Sequence, residues 1–97
     1  MRIVVITVKL IGALRHLSGK TQLTVNYQEG ASLKKLIKQM SEEMPSLKRT
    51  LSDNELNNSR SNSLILINGR EISVLNGYET KLNNGDEVVF VPVVHGG

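Results

Sequence analysis

EVVFVPVVHGG, residues 87–97, is the stretch on which the reading turns. Its first part is a strand: Val88, Val89, Phe90 and Val91 are β-branched or aromatic, and Pro92 stands at the end, where a missing N–H donor costs little. Strand phase points Phe90 into a core and turns Val91 outward. Its second part, Val93, Val94 and His95 followed by Gly96 and Gly97, offers nothing to pack. The strand therefore needs neighbours, and the tail needs a purpose.

Working back along the chain supplies the neighbours. RIVVITVKLI, residues 2–11, places Val4, Ile6, Val8 and Leu10 on one continuous apolar row, while Ile3, Val5, Thr7, Lys9 and Ile11 form a mixed, outward row. GALRHLSGK, residues 12–20, reads as a turn-rich connection to TQLTVNY, residues 21–27, in which Leu23, Val25 and Tyr27 alternate with polar neighbours. These two strands form a wide hairpin. From Ala31 to Met44 the period changes: Leu33, Leu36, Ile37, Met40 and Met44 mark one face of an amphipathic helix, with Ser32 as N-cap and Pro45 ending it.

Residues 46–63 read as a long polar loop, dense in Asn and Ser. LILI, residues 64–67, then runs into Asn68-Gly69, a type I′ hairpin signal, and REISV, residues 70–74, returns as a short strand. Asn83 to Asp86 makes the last turn. The order strand, strand, helix, strand, short strand, strand fits an α+β domain. The expected architecture is a ubiquitin-like β-grasp, a mixed sheet of about five strands with one main helix on one face and the first and last strands parallel at its centre. Residues 1–97 make one domain, with 92–97 as an extended tail.

Composition narrows the function. Tyr27, Tyr78 and Phe90 are the only aromatics, so stacking on nucleobases is poorly supplied and nucleic acid is not an expected partner. Absence of cysteine excludes disulfides, thiolate metal sites and any thioester on this chain's own side chains. Neither a membrane-spanning stretch nor a secretory leader is visible, so a cytoplasmic setting is the expectation. The net charge of +3 is uneven: residues 1–50 carry nine Lys or Arg against three Glu, and residues 51–97 three against six Asp or Glu. That polarity suits docking to a charged protein face, or simply a solvated helix face bearing Lys34, Lys35 and Lys38.

Catalytic constellations are missing. His16 and His95 are the only histidines, no carboxylate is spaced to form a triad or metal site with them, and the glycine turns lack a phosphate-loop lysine and serine. No independent active site, metal or bound cofactor is expected. The Gly96-Gly97 tail is then the reactive feature. A terminal carboxylate ordinarily titrates near pH ~3.5, so it is ionised at neutral pH and can attack the α-phosphorus of ATP held by another protein. Without Cβ atoms it can thread a narrow channel, and from Pro92 it reaches roughly 17 to 20 Å. The acyl-adenylate so formed would be open to a thiolate, persulfide or amine, making this domain a substrate rather than a catalyst.

Two segments carry a resemblance. VKLIGALRHLSG, residues 8–19, and INGREISVLNGYETKLNNGDEVVFVPVVHGG, residues 67–97, are similar to the MoaD and ThiS family of ubiquitin-like sulfur carriers, most of all to its MoaD branch, the small subunit of molybdopterin synthase. The resemblance implies that Gly97 is adenylated by a MoeB-like or ThiF-like enzyme, becomes a thiocarboxylate, and delivers sulfur within a MoaE-like large subunit for molybdenum cofactor synthesis. By position, Gly96 and Gly97 are the reactive tail, and Ile11, Arg15, Val91, Pro92, Val93, Val94 and His95 are the docking residues. Ile11 and Val91 stand where the family carries aromatics. Val93 replaces a second tail proline, and the His-Gly-Gly ending is similar to that of the ubiquitin-related modifier, which also attaches to lysines and serves tRNA thiolation. His95 as a proton shuttle or a solvated contact, Arg15 as docking or turn-pinning residue, and a non-catalytic binding module are the alternatives that remain.

Overall fold

The computed structural model describes residues 2–47 and 63–92, and its architecture is the ubiquitin-like β-grasp expected. Elements follow the order β1 (Ile3–Leu10), α1 (Ala13–Ser18), β2 (Gln22–Gln28), α2 (Leu33–Glu43), β3 (Ser63–Ile67), β4 (Arg70–Glu71) and β5 (Glu87–Pro92). Two single-turn 3₁₀ helices, Ile72–Val74 and Gly77–Glu79, lie between β4 and β5. The sheet order is β2-β1-β5-β3-β4, antiparallel except where β1 and β5 run parallel at the centre.

The period-two pattern of β1 sets the register. Val4, Ile6, Val8 and Leu10 are buried, and Phe90 of β5, paired with Leu10, is fully buried beside them. Leu33, Leu36, Ile37 and Met40 of α2 close over this face with no more than 1% exposure. Each such side chain removed from water contributes about 1.5–3 kcal/mol, so the helix is held by its apolar stripe more than by propensity. Ser32 caps α2 as expected, its hydroxyl accepting from the Lys35 N–H at 3.3 Å. Beyond Pro45, residues 45–47 are again helical and Leu47 is buried. The polar-loop reading of 46–63 thus fails at its first two residues and at Ser63, which opens β3; residues 48–62 lie outside the described ones.

Two other expectations are corrected. Residues 12–20 are not merely turns: Ala13–Ser18 form α1, which drives Leu14 into the core. Gly19, at φ 73°, ends that helix in the left-handed conformation and donates its N–H to the Arg15 carbonyl at 2.9 Å. REISV keeps only Arg70 and Glu71 in the sheet. The Glu71 carboxylate accepts from the Ser73 N–H and winds the next three residues into a 3₁₀ turn. Ahead of it Asn68 (φ 52°) and Gly69 (φ 83°) make the two-residue turn with the positive dihedrals type I′ requires.

Candidate functional site

The outward row of the sheet brings the site together. Ile11 donates its N–H to the Phe90 carbonyl at 3.3 Å, which extends the β1–β5 ladder by one step and sets Ile11 beside Val91. Val91 in turn pairs with Leu64 of β3. Ile11 is 45% and Leu64 39% exposed, with Val91 half-buried between them, so three strands present one apolar row on the solvent side. Pro92, next along, is still part of β5, so the extended tail expected over 92–97 does not begin there. Ile11 and Val91 are where strand phase placed them; Leu64 was missed, because LILI is apolar at every position and its phase is fixed only by the pairing with Val91.

α1 packs beside β5, near this row. Arg15 is exposed on it and has no carboxylate partner among the described residues. With Gly12, His16, Gly19 and Thr21 it lines an open cleft of about 540 Å³. A guanidinium held on a short helix near an apolar row is suited to pairing with a partner's carboxylate while the row is covered. Arg15 is not part of the turn's hydrogen bonding through its side chain; its carbonyl does that work, accepting from Gly19 and Ser18.

Pro92 closes β5, paired with Ser63. Val93, Val94, His95, Gly96 and Gly97 lie outside the described residues. Among the described residues no group of three or more His, Asp or Glu could hold a metal ion, and no helix is long and apolar enough to cross a membrane. Lys34, Lys35 and Lys38 are exposed on α2, and Lys35 donates to the Gln28 side chain at 3.2 Å.

The ThiS family profile matches residues 8–97, nearly the whole chain. The chain belongs to the ThiS family. The solved structures it is similar to include small archaeal modifier protein 1 from Methanosarcina acetivorans, at 28% identity and TM-score 0.79 with all of both chains covered. Another is Urm1 from Trypanosoma brucei, at 26% identity and TM-score 0.76, covering 100% of this chain and 99% of that one. CysO of Amycolatopsis orientalis, solved in complex with BexX, shares the fold at 20% identity and TM-score 0.71, over 95% of this chain and 99% of that one. No curated protein matches its sequence. The chain thus has the fold and family of ubiquitin-like sulfur carriers and modifiers, and one protein that shares the fold is seen with a partner protein.

Proposed function

We propose that the chain is a sulfur carrier whose Gly97 carboxylate is activated by a MoeB-like or ThiF-like enzyme and converted to a thiocarboxylate. The observation that carries this is the row Ile11, Val91 and Leu64 set side by side on the sheet's solvent face, with α1, which bears Arg15, packed against β5. A partner covering that row would bury the apolar side chains, and the tail would then point into the partner's interior. In the first step a carboxylate oxygen of Gly97 bonds to the α-phosphorus of ATP and pyrophosphate leaves. A persulfide sulfur then attacks the acyl carbon, AMP leaves, and reductive cleavage of the resulting S–S bond by a thiol frees the thiocarboxylate. ATP is the partner's substrate, and this chain supplies only the acyl group.

For the destination of the sulfur, the two matched segments favour the pterin precursor of molybdopterin, with a MoaE-like subunit as acceptor protein. A second reading, attachment through Gly97 to lysines of other proteins, is supported by the His-Gly-Gly ending and by the similarity to the archaeal modifier and to Urm1. Both share the activation step. Incubating the chain with ATP, the activating enzyme from its own genome and a sulfur donor should exchange one oxygen for sulfur at Gly97, as read by intact mass. A chain left unchanged by an enzyme that adenylates it would overturn the carrier reading. Remnants of the tail on lysines of cell proteins after proteolysis would select the second destination.

A further inference from the structure

Three Asn–Gly steps occur in the sequence, at Asn68–Gly69, Asn76–Gly77 and Asn84–Gly85. At such a step the glycine nitrogen can close on the asparagine side-chain carbonyl carbon, since no Cβ shields the approach. The fold treats the three differently. Asn68 is tied at both ends of its amide: Nδ2 donates to Asp86 Oδ1 at 2.9 Å, and Oδ1 accepts from the Glu87 N–H at 3.0 Å. At Asn84, Oδ1 accepts from the Val5 N–H at 2.9 Å. The nucleophile there is occupied as well, because the Gly85 N–H donates to the Val5 carbonyl at 2.9 Å.

All three asparagines are exposed, and Asn76 differs in its ties. It stands in the N-cap position of the 3₁₀ turn Gly77–Glu79, yet its side chain makes no capping hydrogen bond. The Gly77 N–H is one of the orphan donors at the start of that turn, and no hydrogen bond among the described residues engages it. Asn76 has ψ 25°, so rotation about this bond is needed to bring the nitrogen onto the side chain. A single 3₁₀ turn, with poor hydrogen-bond geometry, resists that rotation weakly.

The geometry points to Asn76 as the site where this chain deamidates spontaneously, while Asn68 and Asn84 are protected by the fold. The Gly77 nitrogen bonds to Asn76 Cγ and gives up its proton, and the side-chain nitrogen leaves as ammonia, closing a five-membered succinimide. Water then adds to either ring carbonyl and breaks that carbon's bond to nitrogen, leaving aspartate or a β-linked isoaspartate. No electrons are exchanged, and water is the only co-reactant. The isoaspartate product inserts a methylene in the main chain, where the Asn76 N–H now donates to Thr80 Oγ1 at 3.0 Å.

The test is peptide mapping of the full folded chain aged at mildly alkaline pH, with an aliquot aged in denaturant. In the folded sample, modification at Asn76 should exceed that at Asn68 and Asn84 several-fold, and in denaturant the three should converge. Equal modification in the folded chain, or the same ranking in denaturant, would overturn the proposal. Asp86→Ala, checked for folding by circular dichroism, should raise modification at Asn68 several-fold. If Asn68 stays protected without the Asp86 carboxylate, the tethering argument is wrong.

Discussion

Tyr27 shows how one side chain joins two elements. It is 2% exposed, and its hydroxyl donates to the carbonyl of Ser32, the cap residue of α2, so that β2 and the helix start are fastened together. Burial of the ring and hydroxyl pushes its pKa up to about 12, with the Leu36 N–H opposing that rise. The unfolded chain releases this proton near pH 10, before the folded one does. Stability is therefore whole below pH 10 and falls between about pH 10 and 12. Tyr27→Phe keeps the ring and loses the hydrogen bond, which costs about 1 kcal/mol at neutral pH. Urea denaturation of both forms should show their difference shrinking above pH 10; a constant gap would mean the hydroxyl is not what titrates. Leu64 carries a second residue-scale point. Its exposure could not be read from the sequence, because an all-apolar run has no phase of its own.

At the scale of elements, caps and turns decide what the apolar pattern leaves open. Ser32→Ala removes the oxygen that accepts from Lys35 and should cost about 1 kcal/mol in chemical denaturation, with Ser32→Gly recovering most of it. Gly69→Ala forces a Cβ onto a residue at φ 83° and should cost about 1–2 kcal/mol, although nothing lies within 4 Å of the added atom. Such a loss would be conformational, so Gly69→Asn should be milder. The strands and α2 were legible because each carries apolar residues in a regular period. α1 was not, since it is six residues long, bounded by Gly12 and Gly19, and buries Leu14 while leaving Leu17 exposed, which is no repeat at all. REISV looked like a strand from its composition, and the Glu71 carboxylate, a local hydrogen-bond choice invisible to periodicity, ended it.

At the scale of the whole molecule, the exposed row is the surface that the proposed partner would cover. Ile11→Glu and Leu64→Glu place charges on exposed positions and should leave stability within about 0.5 kcal/mol. Each should weaken association with the activating enzyme by about 1–2 kcal/mol, roughly five- to thirtyfold, seen as a raised KM for adenylation with kcat little changed. A fall in kcat alone would place the row outside the contact. Two of the row's three members followed from strand phase, which set Ile11 and Val91 outward. Its third member needed the sheet order, which brings strands distant in the chain side by side.

That sheet order also governs how the molecule is born. Thr7 pairs with Glu87 and Leu10 with Phe90, so the strand in the middle of the sheet is synthesised some eighty residues after its neighbour. As the chain leaves the ribosome, the β1–β2 hairpin and α2 emerge with β1's inner edge unpaired, and β3 with β4 follows as a second, unattached piece. Only when β5 slides between them do the two halves become one body. Closure of so long a loop is slow, and the open edge meanwhile is a template for wrong partners. Newborn copies should accordingly lean on chaperones until that wedge is in place.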